Sequence, residues 1–136
     1  EFEISDISSD YILKTGAIDD MDATYINGVK VGGLAGNGQW NIPRVMKVSK
    51  DLLKKGKNTI AIRIIDTGAG GSVDGPVELI HDNGAKVDLN GPWKHRVVGE
   101  MYLNQIYTKF LGYTTIEKTS IVFVKKIIYE NKIRSE

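Results

Sequence analysis

Three carboxylates, Asp19, Asp20 and Asp22, crowd into one short stretch of this chain, directly before Ala23-Thr24-Tyr25-Ile26-Asn27-Gly28. Carboxylate oxygens are hard ligands, and Ca²⁺ gathers six to eight of them, with backbone carbonyls of glycine-rich loops able to complete the shell. The EF-hand spacing is missing, however, and aspartates in turns commonly accept hydrogen bonds from nearby backbone amides. An acidic turn closed by a salt bridge is therefore the preferred reading, and Ca²⁺ held by Asp19, Asp20 and Asp22 is the alternative. Arg44 and Arg63 are the candidate counter-ions. Arg63 lies in an otherwise apolar strand, where burial without a partner is expensive, so an ion pair with Asp20 or Asp66 is expected. A second chemistry open to these residues is sugar binding. An indole face packs on the apolar side of a pyranose while charged groups bond its hydroxyls, which singles out Trp40, with Asp20 and Arg44, and less so Trp93. His81 and His95 come with no nucleophile motif, so each is read as a turn or strand residue with a satisfied ring.

These side chains are carried by short strands. Tyr11 to Ile18 is rich in β-formers and ends at the acidic turn, and Asn27-Gly28 suits a type I′ turn between Ala23–Ile26 and Val29–Val31. Gly32 to Gly38 reads as a mobile glycine-rich loop leading to Trp40-Asn41-Ile42-Pro43-Arg44. Ser49 is placed to cap a short helix through Asp51 to Lys55, with Gly56 as its left-handed stop. Thr59 to Asp66 alternates, Ile60, Ile62 and Ile64 on one face, and is expected to be a central strand. A second glycine-rich loop, Thr67 to Pro76, has neither phosphate-loop nor dinucleotide spacing. Val77–Ile80 and Lys86–Leu89 flank an Asp82-Asn83-Gly84 turn, and Gly91 to Val98 is expected to add a strand. Ile121 to Tyr129 is β-prone, either joining the sandwich or leaving an exposed edge. Short strands at this spacing indicate an all-β sandwich or jelly roll with one short helical turn.

At 136 residues, 41% of them hydrophobic, the chain suffices for one ordinary domain. Its formal charge of +1, from 18 basic and 17 acidic residues, makes no field that would attract nucleic acid or an anionic membrane. Lys54, Lys55 and Lys57 are read as a solvated basic cluster. With no cysteine there are no disulfides or thiolate metal sites. No apolar run approaches the roughly 18 to 20 residues of a membrane span. The chain opens on Glu1-Phe2-Glu3, without an initiator Met or signal peptide, and reads as a fragment or processed form.

Four segments in order carry a family resemblance: Gly16 to Gly28, Leu52 to Arg63, Asp66 to Gly71, and Leu89-Asn90-Gly91-Pro92-Trp93-Lys94. Together they resemble the galactose-binding-like β-jelly-roll domain inserted into bacterial sialate O-acetylesterases and other SGNH carbohydrate esterases, which is related to the sugar-binding domain of family 2 glycoside hydrolases. The first segment is the most specific, whereas Leu-Leu-Lys-x-Gly-x-Asn occurs across many galactose-binding-like sandwiches. The likeness covers roughly residues 10 to 98. It implies a jelly-roll domain, taken as 1–98; beyond Val98 nothing resembles the family, and 99–136 is read as a C-terminal extension, an added strand or partly disordered. It further implies a periplasmic or secreted setting and a partner that is either carbohydrate or the catalytic domain of a parent esterase. The family's catalytic Gly-Asp-Ser and Asp-x-x-His elements are absent from this sequence, so a non-catalytic accessory domain is expected, with an independent carbohydrate-binding module, calcium-dependent or not, as the rival.

Overall fold

The Asn-Gly pair sets the first hairpin. Asn27 and Gly28 both adopt positive φ, 48° and 84°, as a type I′ turn requires, and they join β3 (Met21–Ile26) to β4 (Val29–Gly32). The turn is held by its neighbours as well as by its own backbone. Asn27 Nδ2 donates to Leu52 O at 2.7 Å and to Asn58 Oδ1 at 2.8 Å, and Asn27 Oδ1 accepts from Thr59 N at 2.9 Å. Asn58, 1% exposed, also donates to the carbonyls of Lys54 and Gly56 and accepts from Lys54 N. Asn27 and Asn58, from the first two resembling segments, thus meet at one node whose amide groups are fully used.

These contacts belong to a computed structural model that describes residues 1–36, 38–66 and 71–96, and the chain divides into two units, Glu1–Gly91 and Pro92–Glu136. The extension 99–136, including the strand expected at Ile121 to Tyr129, lies outside the described residues. The described strands are all antiparallel. β1 (Phe2–Ile4) pairs with β6 (Gly56–Asn58). A larger sheet runs β10-β9-β2-β5, from β2 (Tyr11–Ile18), β5 (Pro43–Val48), β9 (Glu78–His81) and β10 (Lys86–Asp88); short β8 (Val73–Asp74) takes the place of β9 beside the last residues of β2. The third sheet is β4-β3-β7, with β7 spanning Ile60–Ile65. Apart from one 3-10 turn, Lys50–Leu52, the described regular structure is all β, as the alternation predicts.

The core follows from period-two patterning. Leu13 of β2, Ile26 of β3, Val48 of β5 and Leu79 of β9 are completely buried and belong to one cluster fed by both larger sheets. Each such side chain contributes about 1.5–3 kcal/mol on leaving water. Toward one end of the same inward rows the residues turn polar: Thr15, Asp22, Thr24 and Arg44 are all buried. Gly16 permits this end to close. A Cβ there would fall on the carbonyl of Asp74, so only glycine lets β8 cross this close to β2.

Three expectations change. The helix expected to reach Lys55 stops at Leu52, because Asn58 takes both the N–H and the C=O of Lys54 and turns the chain toward β6. Ser49 does cap it, accepting from Asp51 N at 3.3 Å. Thr59 to Asp66 alternates as read, but β7 ends its sheet among the described residues and is not central. Alternation reports which face is inward, not how many neighbours a strand has. Gly91 to Arg96 form no strand. Asp88 accepts from Asn90 N, and Asn90 Oδ1 accepts from Val77 N, so a side chain ends the ladder just before Gly91 at φ 118°. Val97 and Val98 lie outside the described residues.

Candidate functional site

The polar end of the core is organised by Arg44. It stands at an inward position of β5, paired in register with Thr15 of β2, and is 2% exposed. Its Nε donates to Asp22 Oδ1 at 2.7 Å, an ion pair in which the aspartate side chain is 0% exposed. One terminal nitrogen donates to the carbonyls of Gln39, at 2.9 Å, and Ile42; the other donates to those of Ile18, at 2.6 Å, and Asp20, at 3.4 Å. A guanidinium has five N–H donors, and all five are committed here. The carboxylate is equally occupied: Asp22 Oδ1 also accepts from Leu34 N, and Oδ2 faces the Thr24 hydroxyl at 3.4 Å. Asp22 N in turn donates to Leu34 O at 2.9 Å, so the glycine-rich loop expected to be mobile is fastened at Leu34.

Arg44 therefore ties three chain segments together: the end of β2, the acidic turn, and the loop carrying Trp40. Trp40 itself is 56% exposed, with Ile42 and Val45 also at the surface nearby in sequence. Of the residues read as a sugar site, Arg44 joins Asp20 and the Trp40 loop through their backbones, but its own donors are spent inside the fold. Trp40 and the acidic turn are left as the surface groups. Trp93 is 40% exposed.

Asp19 and Asp20 sit where β2 turns into β3, with Asp19 N donating to Ser72 O and Asp20 N to Ile65 O. The hydrogen bond between the two side chains, followed by partial loss of water and the negative charges of Asp20, Asp66 and Asp74, holds the Asp19 carboxyl above its ordinary range. The acidic end is thus built from Asp19, Asp20, Asp66 and Asp74. Asp22 does not belong to it, because β3 directs Asp22 inward to Arg44. Among the described residues no group of three or more His, Asp or Glu is placed to hold a metal ion, so Asp19, Asp20 and Asp22 do not converge on one. Arg63 departs from expectation too. It is exposed on the outward face of β7, opposite Ala23, and the arginine that takes a buried carboxylate is Arg44, with Asp22. Asp20 and Asp66 belong to the acidic end around Asp19.

His81 is the buried group whose surroundings the sequence did not disclose. Nε2 lies 2.9 Å from Ser9 Oγ, 3.5 Å from Ser8 Oγ and 3.7 Å from Asp6 Oδ2, and the ring meets Tyr11 edge-on at 4.7 Å. Nδ1 accepts from Asn83 N at 3.2 Å. A serine, a histidine and an aspartate are therefore close, yet the arrangement is wrong for a nucleophilic triad. Because Nδ1 is an acceptor, the proton of the neutral ring is on Nε2, which donates to Ser9 instead of receiving its proton, and the aspartate sits beside that same nitrogen. Sequence spacing could not reveal this grouping, since Ser9 and His81 meet only through the pairing of Tyr11 with His81.

Comparison of the chain with protein-family models, with curated proteins and with solved structures finds no match.

Proposed function

We propose that this chain is a non-catalytic accessory β-sandwich domain of a carbohydrate-active esterase, a jelly roll similar to the insert of sialate O-acetylesterases, working in a periplasmic or secreted enzyme. One observation carries the reading: the groups that chemistry would need are consumed by the scaffold. Arg44 spends its five donors and Asp22 its oxygens on closing the sandwich end. His81 is used in the same way on the N-terminal segment and the β9–β10 turn. The role that fits such a frame is architectural or substrate-positioning.

The exposure of Trp40 on a loop that Arg44 holds at both ends favours a second reading, an independent carbohydrate-binding module in which Trp40 stacks on a sugar and the acidic turn accepts its hydroxyls. Titration with neutral oligosaccharides and sialosides, followed by tryptophan fluorescence in the parent chain and in Trp40→Phe, separates the two. A saturable response that the variant lacks establishes the module; no response leaves the architectural role. Turnover of an aryl acetate that disappears in both Ser9→Ala and His81→Gln, with folding intact, would overturn the non-catalytic reading.

A further inference from the structure

β7, six residues long, lies at the margin of its sheet among the described residues, and the proposed function does not use its groups. Its inward residues share the face of Asp22, Thr24 and Ile26, yet Ile60 and Ile62 are only half-buried and Ile64 is 37% exposed. The inward rows of β2, β3 and β5 are buried by comparison. The strand has no proline, and Arg63 is its one charge, so it lacks most devices that keep a strand edge from pairing.

The backbone direction can be worked out. In an antiparallel ladder residues alternate between those that exchange both hydrogen bonds with the partner strand and those whose N–H and C=O point away. Asn27 N donates to Thr59 O, and the register pairs Tyr25 with Ala61 and Ala23 with Arg63. Thr59, Ala61 and Arg63 therefore turn their backbone groups to β3, and Ile60, Ile62 and Ile64 turn theirs outward. Among the described residues no strand takes them.

The two ends of β7 differ in charge. Lys54, Lys55 and Lys57, all exposed, precede it, and Asp66 follows it, in the field that also contains Asp19 and Asp74. An identical strand laid antiparallel brings the acidic end of each copy beside the basic end of the other.

We propose that β7 is a self-complementary edge at which two copies of this chain pair antiparallel, with Ile62 of one copy opposite Ile62 of the other, giving a weak two-fold dimer. This register makes Ile60 exchange hydrogen bonds with Ile64 of the second copy, and Ile62 with its counterpart, which uses every outward backbone group of the three isoleucines. Arg63 then faces Ala61. Sliding by one pair to centre the axis on Arg63 sets two guanidinium groups against each other, and sliding the other way forfeits pairing, so charge selects the register. The interface is isologous, and each sheet continues into the other.

Sedimentation velocity on the full chain, from micromolar to millimolar concentration, is the test. The parent is expected to dimerise reversibly and less tightly at high salt. Ala61→Glu, facing Arg63 twice by symmetry, is expected to tighten the dimer by roughly two- to thirty-fold, and Ala61→Lys to weaken it by a similar factor. Adding Arg63→Glu to Ala61→Lys should restore it. Ala61 and Arg63 are both exposed, so circular dichroism serves only to verify that the variants keep the fold. A monomer at millimolar concentration, or Ala61 variants of opposite charge that act alike or not at all, would overturn the proposal.

Discussion

Replacing Arg44 by alanine is the sharpest perturbation this fold offers. The change leaves the Asp22 carboxylate, 0% exposed, with only Leu34 N and the Thr24 hydroxyl as donors, and removes the donors from four carbonyls, those of Ile18, Asp20, Gln39 and Ile42. Breaking a buried ion pair from one side costs about 3–5 kcal/mol, most of it for the charge left behind. The four carbonyls lie toward the end of the sandwich, where water can take the place of the lost donors, so the ion pair dominates and the total is about 5 kcal/mol. Domains of this size hold roughly 5–15 kcal/mol in all, so a third or more of the stability is at stake. In thermal unfolding followed by circular dichroism this corresponds to a fall in Tm of roughly 12–40 °C. Arg44→Lys should fall between, since an ammonium keeps the charge but has three donors for five acceptors. Asp22→Leu combined with Arg44→Met tests the partition: it removes the stranded charge but not the orphaned carbonyls, so it should recover part of the loss. An Arg44→Ala protein melting within about 4 °C of the parent would refute the claim that this clasp closes the sandwich end.

Other outcomes follow from the same geometry. Gly16→Ala should displace β8, because the new methyl meets the Asp74 carbonyl; a loss of at least about 2 kcal/mol in urea unfolding is expected, and hydrogen exchange should rise at Val73 and Asp74. Asn58→Ala strips both amide donors and the acceptor from a node that is 1% exposed, and about 3 kcal/mol should be lost by the same measurement. Asp19 and Asp10 should shape the acid limb in opposite senses. Asp19 has its carboxyl raised above 3.8 in the fold, so the native state binds more protons in the window above that value and stability declines as pH rises through it; Asp19→Asn should remove that decline in a Tm-against-pH series. Asp10, lowered by its hydrogen bonds with Lys47 and Lys50, contributes stability above 3.8 that is lost as pH falls below it, so Asp10→Asn should make the acid loss shallower.

Strand positions and faces were legible from the chain because the chemistry that fixes them is local. Asn27-Gly28 supplies the two positive φ values of its turn, Ser49 and the residues after it supply a capped turn, the β-formers of Tyr11 to Ile18 mark a strand, and alternation through Thr59 to Asp66 shows which side chains point inward. Composition likewise ruled out a thiolate site, since there is no cysteine. Tertiary structure alone decided the partners. Two arginines were candidate counter-ions, and the apolar setting of its strand favoured Arg63, yet register places Arg63 on the outer face of β7 and Arg44 on the inner face of β5, so only Arg44 reaches the buried Asp22. Asp22 left the acidic turn for the core by the same parity, being one strand position beyond Met21. Serine 9 and His81 came together because β2 and β9 are neighbours, a pairing no local pattern encodes. The division is physical: backbone conformation is dictated within a few residues, whereas which charges meet depends on strand order and register, and those are set by the burial of the whole sheet.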